Sequence, residues 1–202
     1  MSIDENVSTG LPGLDKALKG IVPGDNIVWQ VNSIDDYYPF VMAFYEYARR
    51  HHKKLVYFRF AKHKSLIKDD SYTEIFNANP EAGFESFLGQ IHKVIEKSGY
   101  GAFYIFDCLS ELIVDWYSDQ MLGNFFRLTC PYLYQLKTIA YFALLKDRHS
   151  FHAVNPIMET TQLFLNVHRH NEKLYLHPLK VQQRYSPTIH TLHEWNGDNF
   201  IP

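Results

Sequence analysis

Histidine, serine and cysteine side chains are the residues of this chain that could do chemistry most directly. His168 and His170 are separated by one residue in a segment that is typical of a strand. Their side chains would then point to one face and could share a metal ion. No cysteine or carboxylate cluster accompanies them at ligand spacing, so we expect no metal site. Ser110 and Cys108 follow a strand, but no G-x-S-x-G turn surrounds them, and we expect no catalytic residue.

A second candidate site is the acidic segment QVNSIDDYYPF, residues 30–40. A short apolar stretch precedes it and an apolar helical stretch follows it, so it occupies the kind of strand-to-helix turn where phosphate-binding loops lie. Such loops use glycines, which let backbone amides point at phosphate, and a lysine that neutralises its charge. The segment has neither residue type and carries Asp35 and Asp36 instead.

Patterns typical of strands and helices alternate four times along the first three quarters of the chain. The predicted strands are 26–31, 54–60, 101–107 and 139–145, and the predicted helices are 37–51, 84–97 and 122–137. This alternation predicts an α/β fold with a parallel sheet. After Ser150 the pattern changes, and it predicts successive antiparallel strands at 162–170, 173–185 and 188–195. In such sheets ligands bind at the carboxyl ends of strands, here after Gln30, Phe60, Asp107 and Leu145.

The composition predicts one globular domain spanning residues 1–202. Of the 202 residues 46% are hydrophobic, enough for a sizeable core. The formal charge of -2 gives no electrostatic reason to expect a nucleic-acid partner. The N-terminus lacks the pattern of a signal peptide, and no apolar run approaches the roughly 20 residues of a membrane span. Two cysteines within apolar segments are typical of a reduced, cytoplasmic protein.

The segment Ser8–Val31, STGLPGLDKALKGIVPGDNIVWQV, resembles the opening of KaiC-like ATPases of the RecA superfamily. Those proteins begin with a TG-[IL]-PGLD-x-x-L-x-G motif that leads into the first core strand. Four later segments resemble, in order, the family's helix and second strand, its Walker B strand, the segment before its last strands, and its final hairpin: AFYEYARRHHKKLVYF, AFYIFDCLSEL, RHSFHAVNPIMETTQLFLNV and LKVQQRYSPTIHTLHEWNGDNFIP. The resemblance covers nearly the whole chain. It implies a RecA-like, P-loop NTPase-type parallel sheet with helices on both faces and antiparallel C-terminal strands.

The resemblance also shows where the family's phosphate loop would fall. Its first glycine falls on Gln30, its second on Asp35, its lysine on Asp36 and its threonine on Tyr37, so every functional position is replaced. We expect Asp35 and Asp36 to cap the helix that follows, where a phosphate would otherwise bind. A like-charge pair at 4 Å costs about 4 kcal/mol at an effective dielectric near 20. That is half of the roughly -8 kcal/mol of a micromolar affinity.

At the other functional positions of the family, this chain matches some residues and replaces others. Asp107 matches the Walker B aspartate, whose family role is magnesium coordination, but a structural role is the favoured interpretation here because one carboxylate makes a poor magnesium site. The acidic pair that activates water in the family falls near Ala61 and Lys62, which supply no carboxylate. The family's K-x-R pair, which reaches a neighbouring subunit's nucleotide, falls on Gln182 and Arg184; a surface arginine needs no nucleotide to explain it.

The chain is thus interpreted as a catalytically inactive pseudo-ATPase domain, without a cofactor, that acts as a protein-interaction or regulatory module. It would work with a protein partner or within a larger parent polypeptide, as a monomer or dimer rather than a hexamer. Two alternatives stay open. An ATP-binding switch could stack a base on Tyr37 and Tyr38 and take charge from Lys62, Lys64 or Arg184. A small-molecule sensor would need only a pocket in the strand-end crevice.

Overall fold

The computed structural model describes residues 7–68, 71–116 and 118–202, and these ranges form helices packed around one sheet. The helices are α1 (Pro12–Leu18), α2 (Ile34–Arg50), α3 (Phe84–Ser98), α4 (Leu112–Trp116), α5 (Gln120–Gln135) and α6 (Phe151–Thr160). The strands are β1 (Asn26–Val31), β2 (Leu55–Arg59), β3 (Thr73–Asn77), β4 (Phe103–Cys108), β5 (Ile139–Leu145), β6 (Leu163–His170), β7 (Lys173–Val181), β8 (His193–Asn196) and β9 (Asn199–Ile201). Short 3-10 turns cover Pro80–Ala82 and Leu109–Glu111.

The described strands form one nine-stranded sheet in the order β3-β2-β4-β5-β1-β6-β7-β8-β9. The pairings from β3 through β6 are parallel, and those from β6 to β9 are antiparallel. The predicted α/β class, with a mostly parallel sheet and an antiparallel C-terminal extension, is therefore confirmed. Strand β6 is the junction, because it runs parallel to β1 on one side and antiparallel to β7 on the other.

Side chains of the central strands alternate between two apolar cores, one on each face of the sheet. In β1, Ile27 and Trp29 face the core that α1 and α2 cover, whereas Val28 faces the core that α3, α5 and α6 cover. All three side chains are fully buried. Strands that are buried on both faces read as continuous apolar runs, which is why NIVWQV and IAYFALL could be recognised from sequence.

Several predicted boundaries are corrected. Helix α2 begins at Ile34, three residues before the predicted start. Of the predicted strand 188–195, only its last three residues lie in β8, because residues 186–191 form successive hydrogen-bonded turns instead. Strand β3 and helix α6 were not predicted. Strand β3 lies at the sheet edge and is only partly buried, so its alternation is weak, and α6 contains Pro156.

The N-terminal motif STGLPGLD has a structural role. The carboxylate of Asp15 accepts hydrogen bonds from the backbone N–H of Thr9 at 2.9 Å and from its hydroxyl at 2.8 Å, which folds the segment onto α1. Gly10 has φ +85°, and an added β-carbon would lie 2.1 Å from the carbonyl oxygen of Ala43 in α2. Only glycine fits at so close an approach. Within the described ranges, none of the helices has the length and apolar character needed to cross a membrane.

Candidate functional site

The carboxyl ends of the parallel strands gather the predicted site residues at one edge of the sheet. Gln30 lies near the end of β1, and Asp107 lies near the end of β4, with β5 between the two strands. Asp36 lies in the first turn of α2, directly after β1. Arg184 does not belong to this group. It contacts Asp25, which precedes β1, so it lies at the opposite, amino-terminal edge of the strands.

The turn between β1 and α2, for which the resemblance predicts a phosphate loop, is closed by side chains of the chain itself. Gln30 is half-buried, and its side-chain carbonyl accepts a hydrogen bond from the Asn166 amide at 3.3 Å. Ser33 occupies the N-cap position of α2, but no side chain caps the helix by a hydrogen bond there. Asp35 and Asp36 lie in the first turn of α2, at the predicted helix N-terminus, but neither is the N-cap residue. Asp35 is exposed, whereas Asp36 points inward to another partner.

That partner is Arg169 of β6. The Nε of Arg169 lies 2.9 Å from Oδ1 of Asp36 in an ion pair whose aspartate is 4% exposed and whose arginine is 41% exposed. Where the resemblance predicts the position of a lysine, the chain thus holds a nearly buried carboxylate that is already neutralised by a cation. A phosphate would have to compete with Asp36 for Arg169, and it would leave a buried carboxylate without its partner.

Tyr37, which the resemblance aligns with a threonine, is fully buried. Burial raises the pKa of its hydroxyl well above the usual value, so the group stays neutral. Its hydroxyl has no hydrogen-bond partner among the residues that the structure describes. The expectation that Tyr37 could stack on a base is wrong, because its ring is packed inside the protein. Tyr38 is different, since 46% of it is exposed at the surface.

Asp107 is a fully buried carboxylate that is enclosed by donors from the end of β2. Its Oδ2 accepts hydrogen bonds from Nη1 of Arg59 at 2.8 Å and from the backbone N–H groups of Phe60 and Ala61, each at 2.9 Å. Its Oδ1 accepts a short hydrogen bond from the Tyr57 hydroxyl. Burial, followed by the negative charge of Asp107, raises the pKa of the Tyr57 hydroxyl, which therefore remains a donor.

The same contacts shape the segment that follows β2, residues 60–68, which we call the β2 loop. The guanidinium of Arg59 also donates to the carbonyl oxygens of Ala61 and His63. The hydroxyl of Tyr57 accepts from the N–H of Leu66 at 3.3 Å. Asp107 and these neighbours therefore hold the β2 loop in one shape, and the carboxylate oxygens point at donors rather than at open space.

Ser110 and His149 form a pair that sequence inspection did not connect. Oγ of Ser110 lies 2.6 Å from Nε2 of His149, and it also accepts the N–H of Leu145 at 2.8 Å. A serine beside a histidine can act as an activated nucleophile when a third group orients the base. Here Asp119 accepts the N–H of Ser150 at 2.9 Å, and Nδ1 of His149 has no hydrogen-bond partner among the described residues. The pair ties the ends of β4 and β5 together.

One histidine of the pair on β6 packs against an aromatic ring of the neighbouring strand. His168 stacks on Tyr175 of β7, with ring centroids 5.6 Å apart and planes 15° apart. Burial lowers the pKa of His168 below its usual value. Within the described ranges, no three histidine, cysteine, aspartate or glutamate side chains come close enough to hold a metal ion.

Arg184 is not the surface arginine that the sequence suggested. Its side chain is 6% exposed and donates a short hydrogen bond to Oδ2 of Asp25, which is 2% exposed, and a second bond of 2.9 Å to the Gln182 carbonyl. Burial raises the pKa of the Asp25 carboxyl, and the nearby Arg184 charge partly offsets that increase. The arginine thus joins the end of β7 to the turn before β1.

A cleft lies beside the turn for which the resemblance predicts a phosphate loop. It has a volume of about 640 Å³ and separates the first half of α2 from the β2 loop. Ile34, Tyr38 and Met42 form the helix wall, and Lys64 and Leu66 belong to the opposite wall. The sequence indicated only that a small-molecule sensor would need a pocket in the strand-end crevice, and it did not indicate which residues would line that pocket. The missing information was the course of the β2 loop, which depends on Asp107.

Comparison of the chain with known proteins finds neither a protein-family model nor a curated protein that matches it.

Proposed function

We propose that this chain is a RecA-like domain, resembling KaiC-type ATPases, that has lost its nucleotide site and acts as a regulatory or protein-interaction module. The strand order and the antiparallel extension are compatible with that fold. The observation that carries the proposal is the ion pair between Asp36 and Arg169, which occupies the turn where the family's lysine would meet phosphate. It replaces an attractive contact with phosphate by an internal contact that phosphate would have to break.

The surroundings of Asp107 support the same interpretation. A Walker B aspartate acts through magnesium and therefore needs oxygen atoms that can face a hydrated ion. Both oxygens of Asp107 already accept hydrogen bonds, and Oδ2 accepts three. The carboxylate stabilises the β2 loop by these contacts. Its retention in the chain therefore needs no catalytic explanation.

Exposed apolar side chains at the amino-terminal edge of the strands support a role in protein interaction. Tyr100 is 76% exposed, and Val22 and Tyr134 are each 39% exposed. These three residues line part of a hollow of about 330 Å³, and the Lys137 ammonium lies 4.8 Å from the centre of the Tyr134 ring. Tyrosines are enriched at protein interfaces because they offer a large apolar area with a polar tip.

Calorimetric titration with Mg-ATP tests the proposal. Wild-type protein is expected to give no saturable heat at millimolar nucleotide. The Asp36→Lys variant restores the family's positive charge, but the turn still lacks the glycines that orient backbone amides, so we expect it to bind no better. Asp35→Lys is the matched control, because it makes the same change of charge one residue away at an exposed position outside the Arg169 ion pair.

Two results would overturn the proposal. One is micromolar, one-to-one binding of Mg-ATP by the wild-type protein, which would favour the ATP-binding switch. The other is micromolar binding by Asp36→Lys alone, which would mean that one residue separates the chain from a working site. Light scattering without nucleotide gives a separate check, since we expect a monomer or dimer and a stable hexamer would contradict that expectation.

A further inference from the structure

The cleft between α2 and the β2 loop has the properties of a small-molecule site. Its volume of about 640 Å³ lies within the roughly 300–1,000 Å³ that is typical of such sites. The helix wall is mainly apolar, with Ile34, Tyr38 and Met42, and Leu66 adds apolar surface from the loop. It lies at the carboxyl ends of the parallel strands, where ligands of α/β proteins bind.

The loop wall of the cleft is held in place before any ligand arrives. The hydrogen bonds of Asp107 to Phe60 and Ala61 fix the start of the β2 loop. The Tyr57 hydroxyl accepts the N–H of Leu66, and the Ser65 hydroxyl donates to the carbonyl of Ile67 at 2.6 Å. A preformed wall lowers the ordering cost of binding.

The charges of the cleft are divided between its walls. Lys64 and Lys68 lie on the loop side, and Asp35 lies on the helix side. Both lysines are exposed, and neither forms an ion pair with another described residue. A ligand that carries one negative charge would therefore place its charged end at the loop and its apolar body against the helix. A strongly negative ligand would meet Asp35 as well.

We propose that this cleft binds a small organic monocarboxylate with an aliphatic or aromatic body. The site lies beside the predicted phosphate-loop turn, with which it shares Asp35, and it does not include the apolar surface at the opposite edge of the strands. The proposal therefore goes beyond the loss of nucleotide binding. It assigns to the crevice a ligand of different chemistry, which is recognised by Lys64 and Lys68 at one end and by the apolar face of α2 at the other.

The test uses 8-anilinonaphthalene-1-sulfonate, an aromatic monoanion that fluoresces in apolar sites, as the probe. We expect saturable one-to-one binding to the folded protein, displacement by octanoate, and no displacement by octylammonium, which has the same chain length and the opposite charge. Replacing both lysines, Lys64→Ala with Lys68→Ala, should weaken probe binding about tenfold, because two exposed charge contacts with the anionic end of the probe are lost. Lys93→Ala, which removes an exposed lysine of α3, should leave binding unchanged.

A second variant tests the position of the body of the ligand. Met42→Trp places a larger side chain in the cleft and should abolish probe binding without changing the far-ultraviolet circular dichroism. Equal displacement by octanoate and octylammonium would overturn the proposal, as would unchanged binding in the double lysine variant. Displacement of the probe by Mg-ATP would contradict both this inference and the proposed loss of the nucleotide site. If neither octanoate nor Mg-ATP displaces the probe, only the inference of a carboxylate site is contradicted, and the proposed loss of the nucleotide site is not.

Discussion

Replacing Asp107 by asparagine tests whether this carboxylate is a structural centre. Asparagine has nearly the same shape, but its amide nitrogen cannot accept a hydrogen bond. Three donors converge on Oδ2, so the asparagine must place its oxygen there and turn its amide toward the Tyr57 hydroxyl. The hydroxyl would then have to accept this bond. The variant thus keeps the geometry and loses the charge.

The size of the effect follows from the three bonds to Oδ2. A hydrogen bond to a charged group contributes about 1.5–3 kcal/mol, whereas a neutral bond contributes about 0.5–1.5 kcal/mol. The loss is therefore about 1 kcal/mol for each of the two backbone bonds. The bond from Arg59 keeps its charged donor but loses the attraction of the anion, which brings the total to about 3 kcal/mol. This agrees with the roughly 3–5 kcal/mol that breaking a buried ion pair costs, because Asp107→Asn also leaves the Arg59 guanidinium without its anion.

Urea unfolding measured by circular dichroism and tryptophan fluorescence provides the assay, and the slope of the transition should not change. Hydrogen exchange of the Phe60 and Ala61 amides should also become faster, because both amides bond to this carboxylate. The exposed Asp198→Asn serves as the control and should stay within about 0.5 kcal/mol of wild type. A loss below 1 kcal/mol in Asp107→Asn, or a gain in stability, would refute the reasoning.

Three further predictions concern other parts of the fold. Arg184→Met leaves Asp25 buried without its cation and should cost about 3–5 kcal/mol near neutral pH, measured by urea unfolding. The cost should shrink toward pH 5, because burial already raises the pKa of this carboxyl and its neutral form needs no cation; an equal loss at both pH values would contradict this. Gly10→Ala should lower the free energy of unfolding, measured by thermal unfolding, by about 2–4 kcal/mol, because it adds a backbone clash to a positive φ. Gly20→Ala is the control, since Gly20 has φ +79° but open space around it, and it should lower the free energy of unfolding by only about 1–2 kcal/mol. Burial lowers the pKa of His149 in the folded protein. The contribution of His149 to stability is therefore present above the unfolded pKa of 6.5 and is lost as the pH falls through the folded pKa. Between about pH 7 and pH 5, the free energy of unfolding of His149→Gln should decline less than that of the wild-type protein.

The parts of the fold that could be predicted from sequence are those whose burial is uniform or strictly periodic. The continuous apolar runs 26–31 and 139–145 gave strands with the observed bounds, and the apolar face of 84–97 gave a helix. Residues 73–77 gave no such signal, because an edge strand is paired on one side and only partly buried. Residues 188–192 alternate like a strand, but local turn hydrogen bonds determine their conformation.

In the candidate site, too, some features could be predicted from the sequence and others could not. The position of Asp107 at a strand end, and the absence of glycine and lysine from residues 30–40, were visible in the sequence. The partners of those residues were not. Arg169 pairs with Asp36 across 133 positions of the chain, through a strand that had been expected only in antiparallel pairing. Such pairs depend on the order of strands in the sheet, and a single sequence does not reveal that order.

The close fit of Gly13 against the turn between β8 and β9 has a consequence for the order of folding. An added β-carbon at Gly13 would lie 2.1 Å from the carbonyl oxygen of Asp198, so the first helix rests directly on one of the last turns described. Contacts between residues so distant in sequence form slowly, because a long loop must close first. During synthesis, the face of α1 that carries Gly13 would therefore lack this contact until the turn between β8 and β9 had left the ribosome.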